Sequence, residues 1–180
     1  MVDARYPRVA AGFTRVLRGV EPTQWSSPTP CTDWDVTALV GHVIETHRRV
    51  RSIVVPDLER APVEGGDLLA LWAEATADIE AAVADPSLAA REIPGRTGAQ
   101  TFGSMVEGLL TIDTLCHTWD LARATGQDES LDPDAVEMAH GALTKFDALM
   151  RVPGGFGPAL EAPAGASPQT AFLRFAGRDA

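Results

Sequence analysis

The sequence predicts an all-α helical bundle, and three observations carry that prediction. Apolar residues recur at three- and four-residue steps along several segments. Clusters of Pro and Gly interrupt the chain between those segments, and two-residue apolar alternation is almost absent. Four core helices with additions toward the C-terminus account for this pattern, within one domain spanning residues 1–180.

The elements follow in order. A first helix is predicted over residues 4–20, with Val9, Phe13, Val16, Leu17 and Val20 on one face. "EPTQWSSPTPCT" ends it, because closely spaced prolines cannot continue a helix. A second helix starts at "TDWDVTALVGHVIETHRRV", where Thr32 and Asp35 have the spacing of a capping box and Val36, Leu39, Val40, Val43, Ile44 and Val50 supply the apolar face. After the loop "VVPDLERAPVEGGD", a third helix is predicted over 67–84, with Leu68, Leu71, Trp72, Ala75, Ile79 and Val83 at helical spacing. "REIPGRTGAQT" reads as a loop or a short extended piece. The fourth and longest helix is predicted over 102–125, roughly 35 Å at 1.5 Å per residue, with Gly126 as its stop. A fifth begins with Asp132 as N-cap and Pro133 in its first turn. A Gly/Pro-rich segment, 152–166, then precedes a short helix over 167–176.

Composition narrows the function classes. At 45% hydrophobic and 22% charged residues the chain is an ordinary globular one, and no apolar run approaches the roughly 18 residues that a membrane span requires. The first residues lack the charged-then-apolar layout of a secretion signal. A formal net charge of −10 argues against a nucleic-acid partner, since a phosphate backbone calls for clustered Lys and Arg. Cys31 and Cys116 lack the spacing of a zinc or redox motif and point to a reducing cytoplasm.

The chemistry concentrates in "TIDTLCHTWDLARATGQ", residues 111–127. Asp113 and His117 are four apart, so on a helix they share one face and can reach one divalent cation. A third ligand must come from a facing helix, and His42 beside Leu39 and Val43 is the candidate. His47 lies about 140° further round the second helix, and the run "HRRVR" turns it to solvent. His140 has no acidic or histidine partner at helical spacing. Cys116 is expected as a small buried hydrophobe, Trp25, Trp34, Trp72 and Trp119 as core anchors, and Asp120 as a cap or a partner of Arg123. The plain alternatives are an exposed Asp113–His117 ion pair and a hydrogen-bonded core His42; spacing by itself leaves the choice open.

Three blocks, "PTPCTDWDVTALVGHV", "DTLCHTWDLARATGQ" and "FGPALEAPAGAS…FLRFAGRD", occur in this order over nearly the whole chain. Together they resemble the actinobacterial metal-binding proteins related to mycothiol-dependent maleylpyruvate isomerase, within the DinB/YfiT-like bundles. The resemblance implies an up-down-down-up four-helix bundle holding a divalent metal, usually zinc, with nickel or another divalent ion as alternatives. Carried over residue by residue, it makes His42, Asp113 and His117 the metal ligands. One departure stands out: isomerase-like members have Glu where this chain has Asp113, a shorter carboxylate.

The function so implied is that of a mycothiol-dependent isomerase or thiol S-transferase, in which a metal-bound thiol attacks a small electrophile. Arg96, Arg123 and Trp119 are the residues expected to grip substrate. A non-catalytic metal-binding, sensor or stress-response protein is the alternative, and a plain structural bundle a third reading. Homodimerisation is a further expectation, from the general habit of helical bundles.

Overall fold

The computed structural model describes residues 5–56, 61–95, 98–151 and 155–180, with the backbone alone at 149 and 150. Ala4 of the first predicted helix, 57–60 of the loop, Arg96 and Thr97, and 152–154 of the Gly/Pro-rich segment lie outside the described residues.

Helix α1 (Arg5–Arg18) buries Tyr6, Val9, Ala10, Phe13, Val16 and Leu17. Helix α2 (Val36–Ser52) starts later than the capping-box spacing predicted. Its N-cap is Asp35, whose carboxylate accepts from the Ala38 N–H, and Thr32 lies in a turn before it. Backbone bonding explains the shift. Trp34 N–H donates to the Cys31 carbonyl at 2.8 Å, and the N–H groups of Val36 and Thr37 donate to Ser27 and Trp25, so residues 31–34 are committed to a turn. Helix α3 (Leu68–Ala84) is capped by Asp67, and the single turn α4 (Pro86–Ala89) by Asp85.

The stretch read as loop or extended is a hairpin. Strands β1 (Glu92–Gly95) and β2 (Gly98–Thr101) pair antiparallel, Ile93 opposite Gln100. The chain then runs through α5 (Phe102–Met105), a π-helical turn (Val106–Leu110) and α6 (Thr111–Thr125). The predicted fourth helix is thus continuous but not uniform. The wide turn rotates everything after it by about one residue, or 100°. The Thr111 hydroxyl donates to the Val106 carbonyl at 3.0 Å within it. Gly126, at φ 67°, closes α6 in the left-handed conformation, with Gly126 and Gln127 N–H groups on the Arg123 and Ala122 carbonyls. Helices α7 (Pro133–Lys145), α8 (Asp147–Met150) and α9 (Pro168–Phe175) follow; Asp132 and Ser167 cap α7 and α9.

Two apolar cores result, with α6 between them. The first joins α1, α2, α3 and the helical run from Phe102 to Leu110, around Phe13 tilted against Trp72 with ring centroids 4.6 Å apart. The second joins Ile112, Leu115, Cys116 and Trp119 of α6 to Ala135, Val136 and Leu143 of α7 and to Phe172 and Leu173 of α9. Because α6 is covered on both sides, most of its polar residues are buried too. Thr114, Thr118 and Thr125 meet that cost by donating to the carbonyl four residues back, at 2.8, 2.7 and 2.7 Å. Among the described residues the fold is all-α apart from the hairpin. Among the described residues no helix is long and apolar enough to cross a membrane.

A candidate metal centre between helices α2 and α6

His42 sits in the second turn of α2, Asp113 in the first turn of α6 and His117 one turn further on. The two helices face each other here, and the three side chains meet. Asp113 Oδ1 lies 3.6 Å from His42 Nε2 and 3.7 Å from His117 Nε2. The two imidazoles stand edge to face with centroids 5.0 Å apart. All three donor atoms fall within 4.8 Å of one another.

Those separations are too long for direct hydrogen bonds. They match what a shared ion needs, because two ligands at about 2.1 Å from a tetrahedral zinc stand about 3.4 Å apart. Asp113 Oδ2 is buried without a hydrogen-bond partner, which is costly in a closed core but expected of a carboxylate whose other partner is a cation. His42 and Asp113 keep 26% and 22% of their side-chain surface, so a small molecule has access, while His117 keeps 9%. Trp34 roofs the cluster, its ring 4.5 Å from His42 and 5.8 Å from His117.

The three side chains also act on one another electrostatically. Burial works against ionising Asp113, but the imidazoles of His117, His42 and His47 hold its carboxyl below the usual range. Burial likewise disfavours protonated His117, yet Asp113 and Asp120 outweigh it and push the imidazole up to about 10.

A second layer stands behind His117. Its Nδ1 lies 3.0 Å from Asp120 Oδ2, and Asp120 has no exposed surface. Arg178 donates from Nε to Asp120 Oδ1 at 3.2 Å and from Nη2 to Oδ2 at 2.8 Å. The Cys31 thiol donates to the same Oδ2 at 3.4 Å and lies 4.0 Å from His117 Nδ1. Burial opposes ionisation of Asp120, but His117 and Arg178 bring its carboxyl down to about 2. Cys31, His117 and Asp120 are close enough to share an ion. The guanidinium across both Asp120 oxygens instead makes them a hydrogen-bond network.

Two expectations are corrected. His47 does not face solvent: it is fully buried, its Nδ1 2.8 Å from the Val43 carbonyl and its ring 4.7 Å from Trp72 and 5.9 Å from Tyr6. The reason is that α2 is covered on two sides, by α6 near His42 and by the first core near His47. Arg48 satisfies the loop instead, donating to the Ala61 carbonyl at 2.9 Å. Asp120 neither caps nor pairs with Arg123; it faces inward to Arg178. Arg123 faces outward, bonds Glu129 at 2.9 Å and lies over the Trp119 ring at 5.0 Å.

Trp119 is buried in the second core, about 200° round α6 from His117. The structure therefore brings His42, Asp113 and His117 together and leaves Trp119 and Arg123 away from them; Arg96 lies outside the described residues. Cys116 is buried as expected, and burial pushes its thiol up. Cys31, Trp34 and Arg178 lie inside the blocks that carry the resemblance, but no ligand-like spacing singled them out. Within one helix, only the three-residue step from His117 to Asp120 was available to flag the second layer.

Fold and cluster define an all-α bundle protein with a histidine–carboxylate–histidine centre built across two facing helices. Residues 6–122 match the family described as the mycothiol maleylpyruvate isomerase N-terminal domain, and the chain belongs to that family. It is similar to two uncharacterized proteins of Mycobacterium tuberculosis, MT0763 of strain CDC 1551 / Oshkosh and Rv0738 of strain ATCC 25618 / H37Rv. Each is 33% identical over 152 residues, which is 83% of this chain and 81% of the relative. No solved structure matches the chain.

Proposed function

We propose that the protein holds one divalent cation on His42, Asp113 and His117 and uses it to present a low-molecular-weight thiol, mycothiol by family, to a small electrophile. The reaction class is isomerisation or S-transfer. The observation that carries this reading is the position of Asp113 Oδ1, nearly equidistant from two Nε2 atoms at tetrahedral ligand spacing. Two imidazoles and a carboxylate favour zinc, with nickel as a competitor. Three protein ligands leave a position open, the arrangement of catalytic rather than structural sites.

A divalent ion in this place supplies Lewis acidity, which acidifies a bound thiol and polarises a substrate carbonyl. The chain's own groups do the rest. His42 and His117 present Nε2 lone pairs, Asp113 supplies the one anionic ligand, and Trp34 shields the cluster from bulk water. A reducing cytoplasm is where such a thiol is available.

The non-catalytic alternative draws on one specific observation: Arg123 is engaged by Glu129 and Trp119 is sealed in the second core, so neither expected grip reaches the cluster. Thiol turnover separates the two readings. The shared premise is tested by mass-spectrometric metal content of tag-free protein. Near-stoichiometric zinc in the wild type, lost in both His42→Ala and His117→Ala, is expected. No metal after reconstitution overturns both readings.

A further inference from the structure

We propose that the C-terminal end of the chain is a working part of this centre: Arg178, acting through Asp120, is the positioning residue that fixes the aim of His117. The proposal rests on the metal reading above and goes beyond it, because Arg178 lies outside the 6–122 stretch that defines the family match.

The geometry starts at the end of α9. Gly177 takes φ 84°, and the N–H groups of Gly177 and Arg178 donate to the Arg174 and Leu173 carbonyls, each at 2.9 Å. This paired closure fixes where the chain leaves the helix. The fixed turn sends the Arg178 side chain back toward α6. There each guanidinium nitrogen is used. Nε and Nη2 hold the two Asp120 oxygens, Nη1 donates to the Ala176 carbonyl at 3.0 Å, and Nη2 also faces Cys31 Sγ at 3.7 Å. The ring of Phe156 lies beneath, 5.8 Å from the guanidinium carbon.

Asp120, so held, has its Oδ2 on His117 Nδ1 at 3.0 Å. An acceptor there places a proton on Nδ1 and leaves Nε2 as the atom aimed at Asp113 and His42. An Asp–His pair of this kind sets the ring orientation and basicity of a ligand histidine. A buried charged chain of three residues is a poor way to gain stability, since apolar packing of the same volume does as well or better. Its position directly behind one ligand of the cluster gives it a purpose that packing does not.

The test is zinc affinity, measured by competition with a chromogenic chelator, on full-length protein with the metal-free thermal midpoint recorded alongside. Four variants are compared: Asp120→Asn, Arg178→Gln, Arg178→Lys and Arg174→Gln. The last removes a neighbouring arginine that bonds Asp179 and the Glu161 carbonyl and does not touch Asp120, so it reports on general loosening of the tail. Asp120→Asn and Arg178→Gln are expected to weaken zinc binding about 10- to 100-fold. Arg178→Lys, which keeps the charge, is expected to recover part of that loss, and Arg174→Gln to bind as the wild type does.

In the zinc-loaded protein the Nδ1–H proton resonance of His117 should also move upfield in Arg178→Gln, a signature that tail packing alone does not produce. Wild-type affinity in both Asp120→Asn and Arg178→Gln, with binding still abolished in His117→Ala, overturns the proposal and leaves the metal site standing. Equal losses in Arg174→Gln and Arg178→Gln overturn it as well. A wild-type protein that takes up no zinc overturns the proposal together with the reading beneath it.

Discussion

His47 offers the most quantitative check on the packing described above. It is fully buried against Tyr6 and Trp72, and its Nδ1 lies against the Val43 carbonyl, so the ring is neutral with a bare Nε2. Burial brings its pKa down from 6.5 to about 4, against smaller upward pulls from the Val43 carbonyl and Asp113. The sign follows from proton binding. Between those two values the unfolded chain takes up a proton that the folded chain refuses, so stability rises with pH there and is lost on acidification. Moving from pH 7 to pH 5 costs the fold about 2 kcal/mol at this one residue, and the loss approaches about 3 kcal/mol below pH 4. His117, pushed up to about 10, works in the opposite direction in metal-free protein: its contribution is complete below 6.5 and disappears as pH rises through 10. A wild-type and His47→Phe comparison cancels it, since both carry His117. Urea unfolding of the metal-free pair at pH 7 and pH 5 should show their stability difference shifting by about 2 kcal/mol in favour of the variant, about 1 M in midpoint. Parallel pH dependence of the two proteins, or an imidazole of residue 47 that titrates near 6.5, would refute the reasoning.

Other outcomes follow from the same geometry. Because His117 is protonated at neutral pH and must give up its Nε2 proton to a metal, zinc binding at pH 7 should release about one proton from it, readable by calorimetry in buffers of different ionisation enthalpy. Brief alkylation of the native protein followed by peptide mapping should label the partly exposed Cys31 and spare Cys116, which reacts only after unfolding. Trp119→Ala should lower unfolding stability by about 3–5 kcal/mol, whereas Arg123→Ala, which breaks an exposed ion pair, should cost under about 1 kcal/mol and leave zinc affinity unchanged.

Much of this was legible in the sequence, for local reasons. Asp132 and Gly126 announce helix ends because a side chain or backbone freedom acts on the nearest turn, and the structure uses each of them so. The four-residue step of Asp113 and His117 likewise survives folding, since it lies wholly within α6. What was not legible depends on partners far along the chain. Arg178 meets Asp120 across 58 positions and Cys31 meets it across 89, and no periodicity links them. His47 was misread because charged neighbours signal solvent only when a helix has a single buried face. Helix α2 has two: Arg48 turns aside to the loop and lets the imidazole inside. The π-helical turn was hidden for another reason. It changes which face the residues after Leu110 present without leaving any mark in their spacing, so the predicted fourth helix has the observed extent, 102–125, without the turn inside it.

The polar stripe of α6 also carries a charge balance that bears on the proposed chemistry. Four groups linked in a chain of contacts are charged without a metal: Asp113 and Asp120 negative, His117 and Arg178 positive. The cluster is then neutral, which is how two carboxylates can sit in and beside a closed core without the large cost of isolated buried charge. A divalent ligand set requires neutral imidazoles, so binding exchanges the His117 proton for two positive charges. The same groups then sum to one positive charge, with Arg178 and Asp120 still paired behind His117. An excess of that sign beside half-exposed His42 and Asp113 favours an anion in the open position over neutral water. Under the proposed function a thiolate would meet that demand, and a neutral alcohol of the same shape would not.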